Sequence, residues 1–362
     1  MKKNIVLVLF IISSFTVISA QYALVTIPGS KVRKITSKIV IGQEYELQIS
    51  LPSGYETSGK KYPVVYLMDS QWDFPLVNSI YGEQYFDGFI PELIIVGVTW
   101  GGINPNADSL RVRDYTPTNV ATMKQSGGAD QFLNFMKTEL FPYIDTNFKT
   151  DKENRTLMGC SLGGLFTLYT LLTHTDMFSS YVAATPAIAW DNTVLYQFEK
   201  EFTQKTITKP IKLFMTVGDV EKGKETFEKF SAFILNKKFS NLYTTSKVLE
   251  NTGHSGTKSE TYSRGLQYIF ERNNLDLTSD VLNQYKGDYQ FPNGDIMSIT
   301  NEKKHLVCSY LNHNKLQLLA NTERHFYAKS EFFNIYFDVS NDKTVGLRLE
   351  VYGKQSILKK IN

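Results

Sequence analysis

Six short apolar runs recur along the chain, and amphipathic stretches separate them: Tyr62–Met68, Glu92–Val98, Thr156–Met158, Tyr181–Ala184, Ile211–Val217 and Tyr243–Leu249. Nearly continuous Val, Ile and Leu suits strands covered on both faces, which means a parallel sheet with helices on each side. The stretches between the runs have helical spacing. Ala129–Phe141 sets Phe132, Phe135, Met136 and Leu140 on one stripe, Leu165–Leu172 follows a glycine-rich turn, and Glu225–Phe239 places Phe227, Phe230 and Ile234 opposite lysines. Glu44–Leu51 alternates polar and apolar residues and reads as an antiparallel edge strand.

The pattern changes near Leu275. Short alternating runs follow, including Tyr285–Tyr289, Ile296–Ile299, Leu306–Tyr310, Leu316–Leu319, Phe333–Phe337 and Leu347–Val351, with Asn, Asp and Gly clustered between them. That rhythm predicts a small all-β barrel or sandwich. The expected organisation is an export leader over residues 1–20, an α/β domain over 21–274 and a β module over 275–362.

The first residues carry the leader signal: Lys2 and Lys3, an apolar run over Ile5–Val17, then Ser19-Ala20 before Gln21. No later segment is long and apolar enough to cross a bilayer, so the mature chain is expected to be exported, periplasmic or secreted, without stable membrane insertion. Removing Lys2 and Lys3 leaves 37 basic against 36 acidic residues, a balance that argues against a nucleic-acid binder. Cys160 and Cys308 fall in different predicted domains, so no disulfide is expected. There is no C-x-x-C, H-E-x-x-H, Walker loop or G-x-G-x-x-G, and no metal or cofactor is expected. Nothing in the residues sets the oligomeric state.

Between strand Thr156–Met158 and helix Leu165–Leu172 stands Gly159-Cys160-Ser161-Leu162-Gly163. Glycine weakens strands and helices alike, so a cluster here points to a backbone need. G-x-S-x-G between a strand and a helix is the nucleophile elbow of α/β-hydrolases. It holds a serine in a strained turn, with the free N–H groups of the helix start beside it. Ser161 is the expected nucleophile. Of five histidines, His305, His313 and His325 lie in the β module and His174 lies at the far end of the helix. His254, in the glycine-bracketed loop Leu249–Gly256, remains as the base. The orienting acid should follow strand Ile211–Val217, where both Asp219 and Glu221 stand. The oxyanion donors are expected to be the N–H groups of Leu162 and of Gln71, the latter in the loop Leu67–Trp72 that closes the first core strand; Trp72 of that loop is a candidate substrate contact.

With Val64–Asp69, Ile95–Val98, Arg113–Pro117, Gly159–Gly164 and Gly253-His254 in this order, the chain resembles an esterase family of α/β-hydrolases over roughly Ile35–Arg272. The family includes enterobactin-type siderophore esterases, feruloyl and acetyl carbohydrate esterases, S-formylglutathione hydrolases and mycolyltransferases. The resemblance implies a doubly wound, mostly parallel sheet, with Ser161 as nucleophile and His254 as base. It places the acid three residues past the glycine closing the strand, at Glu221, although some siderophore esterases of the group manage with a Ser–His pair. It also implies substrate contacts at Arg113 and Trp190. The family's Asp-Gly turn is Asp69-Ser70 here. The β module resembles the lipocalin-like domains appended to some secreted serine hydrolases. The implied activity is cofactor-free hydrolysis of a carboxylic ester on a small molecule or oligosaccharide, an acyl sugar or a siderophore. The alternatives are acyl transfer by the same groups, or a pseudo-hydrolase that binds glycans or siderophores.

Overall fold

The computed structural model describes residues 26–310, 313–329 and 331–362. The expected leader lies outside them. The α/β domain is built on eight strands: β1 (Ser30–Thr36), β2 (Glu44–Ser50), β3 (Tyr62–Leu67), β4 (Ile94–Trp100), β5 (Thr150–Cys160), β6 (Ser180–Ala184), β7 (Ile211–Gly218) and β8 (Leu242–Leu249). Their order across the sheet is β1-β2-β4-β3-β5-β6-β7-β8. β1, β2 and β4 pair antiparallel, and from β4 to β8 every pairing is parallel. Glu44–Leu51 is therefore not the edge. β1 covers it, pairing Ser30 with Ser50 and Thr36 with Glu44.

The helices are α1 (Ser70–Phe86), α2 (Ala107–Tyr115), α3 (Ala129–Phe135), α4 (Phe141–Asn147), α5 (Leu162–Thr173), α6 (Trp190–Thr193), α7 (Leu195–Phe202), α8 (Lys224–Lys237), α9 (Thr257–Ile269) and α10 (Ser279–Asn283), with a π-helical turn at Met136–Leu140 joining α3 to α4. Alternate residues of the central strands feed two cores. Val64 and Tyr66 face Phe132, Phe135 and Phe166 on one side of the sheet. Val65 and Leu67 face Phe74, Val77, Tyr262 and Leu266 of α1 and α9 on the other. β4 is buried along its whole length, as burial on both faces requires.

The C-terminal strands are β9 (Gly287–Gln290), β10 (Ile296–Glu302), β11 (His305–Tyr310), β12 (His313–Ala320), β13 (His325–Ala328), β14 (Phe333–Ser340), β15 (Lys343–Val351) and β16 (Lys354–Lys360). Each pairs antiparallel with the next, and β16 returns to β9, closing a barrel. Closure leaves no free edge. Tyr289, Leu306, Cys308, Ile335, Leu347 and Leu358 are among the side chains that fill the interior, so the barrel is a packed core and not a ligand-holding cup.

The barrel packs against the end of the sheet where the parallel strands begin. Tyr85 meets Phe332, with ring centroids 4.7 Å apart, and Phe86 stacks on Tyr352 at 5.2 Å. Lys60, just before β3, pairs with Glu350 of β15 at 2.8 Å. Arg272, past the end of α9, reaches Asn334 of β14 at 3.1 Å. α1 runs between the two ends of the sheet: its first residues lie beyond the carboxyl end of β3, and its 17 residues span roughly 25 Å at 1.5 Å each.

Candidate active site

β5 ends in Gly159-Cys160 and α5 begins at Leu162, so one residue, Ser161, makes the turn. Its backbone sits at φ 58°, ψ −115°. Such a conformation costs a non-glycine residue about 1–3 kcal/mol and persists only where its surroundings enforce it. Three backbone bonds do so here: the Ser161 N–H donates to Ala184 O at 3.0 Å, and Ser161 O accepts from Leu165 N–H at 2.8 Å and Ala187 N–H at 3.0 Å. At about 0.5–1.5 kcal/mol each they offset the strain. The glycine at 159 is a matter of contact. A Cβ there would stand 2.5 Å from the Gly163 carbonyl carbon and oxygen, so only hydrogen lets the first turn of α5 close over the strand. Ser161 has no side-chain cap bond, and the Leu162 N–H has no acceptor among the described residues.

The acid–base pair comes from the loops after β7 and β8. Glu221 Oε2 lies 2.7 Å from His254 Nδ1. The same oxygen accepts from Thr185 Oγ1 at 2.5 Å, and Oε1 accepts from the Gly218 N–H at 2.8 Å. Every group facing the carboxylate is thus a donor, which fixes its orientation and sets the His254 proton on Nδ1. Glu221 is 9% exposed and His254 54%. Among the described residues neither His254 Nε2 nor Ser161 Oγ has a hydrogen-bond partner. Serine–base bonds in free enzymes often form only with substrate present. Gly218 is constrained from two sides, because a Cβ there would lie 1.9 Å from Thr252 O and 3.1 Å from Glu221 Oε1.

The two carboxylates that sequence left open do different things. Asp219 accepts from the Thr252 N–H at 3.1 Å, and its own N–H donates to Leu249 O at 3.0 Å. The N–H groups of Asn251 and Thr252 hold its carboxyl below the usual carboxylate range. Asp219 pins the loop that carries His254 and does not touch the imidazole. Beside the pair is a groove of about 410 Å³ lined by Ala187, Ile188, Val220, Thr226, Glu221 and His254.

On the other side, Asp69 ends the β3 loop at φ 54°, ψ 36°. Arg111 of α2 grips it with two bonds, Nε to Oδ1 at 3.0 Å and Nη2 to Oδ2 at 2.7 Å, and the Asp69 backbone N–H donates to the Tyr115 hydroxyl at 3.1 Å. A bidentate clamp of this kind fixes position as well as charge. It holds the start of α1, where the Gln71 N–H has no acceptor among the described residues. Arg111 also lies 5.7 Å from the ring centre of Trp72, which is 48% exposed. Arg113 stands elsewhere than the resemblance implied. Its guanidinium is engaged by Asp114 at 2.7 and 2.9 Å and by Gln43 at 3.0 Å, so it is a structural group, and the arginine that supports the loop is Arg111. Trp190 donates from Nε1 to Thr118 Oγ1 at 3.1 Å and is half-buried. The supporting contacts of Thr185 and Tyr115 carry little mark in the sequence; the signal for Thr185 is its place directly after the buried run Tyr181–Ala184.

A family model described as "Putative esterase" matches residues 38–295, well over half of the chain. The chain belongs to the esterase family. As a member of that family it is an ester hydrolase, and its sheet has the α/β-hydrolase order. The esterase is 32% identical over 218 residues to the ferri-bacillibactin esterase BesA of Bacillus subtilis (strain 168), spanning 54% of this chain and 72% of that one. It is 27% identical over 169 residues to a siderophore triacetylfusarinine C esterase of Aspergillus fumigatus, spanning 45% and 58%. Among solved structures, the BES protein from Bacillus cereus superposes with a TM-score of 0.63 at 27% identity, covering 69% of this esterase and 98% of that chain. An IroE-like serine hydrolase from Shewanella oneidensis superposes at 0.59 with 26% identity, covering 70% and 82%.

Proposed function

We propose that this esterase is an exported enzyme that hydrolyses a siderophore ester through Ser161, His254 and Glu221. Ser161 Oγ attacks the ester carbonyl carbon while its proton passes to His254 Nε2. Glu221 keeps the Nδ1 proton in place and stabilises the imidazolium that forms. The N–H groups of Leu162 and Gln71 receive the oxyanion. His254 then protonates the departing alcohol, leaving an acyl-enzyme. Water, activated by the same imidazole, attacks that ester, and the carboxylic acid departs as the Ser161 proton returns. Trp72 and Trp190 are the aromatic contacts for the substrate. The reading carries with it a leader cleaved before Gln21, a hydrolase domain over 21–274 and a β module over 275–362.

The observation that carries the reading is the 2.7 Å bond between His254 and a carboxylate held by two further donors, in a chain whose serine occupies the strained elbow. The siderophore assignment draws on the relatives named for siderophore esters. The half-exposed imidazole beside an open groove is compatible with a bulky ester. The test is a panel of trilactone siderophores, feruloyl esters and acetylated oligosaccharides, run on wild type and Ser161→Ala. The trilactone should have the highest kcat/KM, and Ser161→Ala should abolish turnover. Preference for acyl sugars would reassign the substrate. Transfer of acyl groups to added sugar faster than to water would reassign the reaction.

A further inference from the structure

A second cleft, of about 570 Å³, lies between the α/β domain and the barrel. It is larger than the groove beside His254 and sits at the opposite end of the sheet, apart from the catalytic groups. Its walls are the segments before β3 and β4, the end of α9, and barrel strands β13, β14 and β15.

Two guanidinium groups line it, and neither has a carboxylate partner among the described residues. Arg272 lies 3.7 Å from the ring centre of Tyr327 and gives hydrogen bonds to Asn334 Oδ1 at 3.1 Å and Gly88 O at 2.6 Å, both neutral acceptors. The Arg348 guanidinium lies 3.9 Å over Tyr336 and has no hydrogen-bond partner among the described residues. The two acids of the cleft share one lysine, Lys60, which bridges Glu92 at 2.9 Å and Glu350 at 2.8 Å, and the cationic side chains of the cleft, Lys60, Lys61, Arg272 and Arg348, outnumber them. His325 adds no charge. Asn334 Oδ1 accepts from its Nε2 at 3.0 Å and its Nδ1 accepts from Asn321 Nδ2 at 3.1 Å, which is the neutral tautomer, and burial pushes its pKa down. A charge drawn out of water without a counter-ion is costly, and burial acts against the charged form of Arg272. The arrangement is completed by an anion.

The remaining surfaces narrow the class of anion. Phe89, Phe270 and Phe332 stand in the same cleft beside Tyr336. Tyr62 also lines it, 1% exposed, with a hydroxyl that has no partner among the described residues. Aromatic walls favour a flat ring, and the stacked Arg348 guanidinium keeps its N–H edge free for a planar carboxylate, while Arg272, held by Asn334 and Gly88, adds the second charge. The volume falls within the range of small-molecule sites, which concentrate at domain interfaces. We propose that this interdomain cleft binds a small aromatic carboxylate, with its carboxylate on Arg272 and Arg348 and its ring among the phenylalanines.

The test is fluorine NMR titration of 4-fluorobenzoate into the full chain, with 4-fluorobenzamide and inorganic phosphate as comparison ligands. Fluorobenzoate should bind saturably. Arg348→Gln should weaken it by about tenfold or more, since each lost charge-assisted bond contributes about 1.5–3 kcal/mol. Turnover of p-nitrophenyl acetate by that variant should stay at the wild-type rate. Arg348→Lys, which keeps the charge and loses the fork, should fall between the two. If Arg272→Gln disturbs folding because it bridges the domains, the Arg348 pair decides alone. No saturable binding, binding indifferent to both Arg348 variants, or equal binding of the neutral amide would overturn the proposal. Phosphate competing as well as fluorobenzoate would overturn its aromatic part.

Discussion

Replacing Glu221 with Gln tests the acid–base pair without changing its shape. The carboxylate faces three donors: His254 Nδ1, Thr185 Oγ1 and the Gly218 N–H. A carboxamide has one acceptor oxygen. If that oxygen stays with Gly218, the NH2 group points at His254 Nδ1 and can be accommodated only by the tautomer with its proton on Nε2. That imidazole cannot take the Ser161 proton. Wrong-tautomer losses in serine hydrolases run to about 10⁴ in kcat, so Glu221→Gln should lower kcat by about 10³–10⁴, or about 4–5.5 kcal/mol of barrier. KM on a small ester should change little. Asp219→Asn keeps an oxygen for the Thr252 N–H and should cost less than about tenfold. Both are measured by steady-state hydrolysis of p-nitrophenyl acetate, with circular dichroism to check folding. A larger loss in Asp219→Asn would refute the assignment, and two small losses would leave a Ser161–His254 pair acting without an acid.

Three further outcomes follow from packing. Gly159→Ala forces a methyl to 2.5 Å from Gly163 backbone, with no flexible atom to yield, and should cost about 1–3 kcal/mol in urea unfolding along with most activity. Burial pushes the Cys160 and Cys308 thiols up to about 12. With so little thiolate at pH 8, neither should be alkylated by iodoacetamide in the native protein and both should be once it unfolds; rapid native labelling seen by mass spectrometry would contradict this. A chain ending at Asn274 loses the contacts of Tyr85, Phe86 and Arg272 with the barrel, so its Tm should fall. Its kcat/KM on small and bulky esters should change in the same proportion, because the barrel sits at the end of the sheet away from Ser161; a selective loss on bulky esters would contradict that placement.

How much of this was legible in sequence depended on what each residue's signal came from. The central strands announce themselves because burial on both faces demands continuous apolar residues, as in β4. β1, with the sequence SKVRKIT, is mostly exposed and owes its strand state to pairing with β2, so its own residues carry no such mark. β13, with four residues, and the lysine-rich β16 were silent for the same reason, being fixed by barrel closure. The elbow was readable because Gly159 marks backbone that no larger residue fits, and the His254 loop because it follows the last core strand and carries the one histidine not already placed elsewhere. The two arginines of α2 were not. Arg111 and Arg113 are two residues apart, which on a helix means different faces, and only the packing of α2 decides which one meets Asp69. The division of labour between Asp219 and Glu221 likewise depends on where the loop after β8 passes, a contact between segments some thirty residues apart in sequence.

The central claim is that Ser161 is the nucleophile and His254 its base. Fluorophosphonate labelling of the mature protein, followed by peptide mapping, tests it most directly. The account predicts one adduct per chain, on Ser161, appearing in step with loss of ester hydrolysis, and none in His254→Ala over the same period. Inactivation with the adduct on another residue, or full hydrolysis by a chain labelled at Ser161, would contradict it.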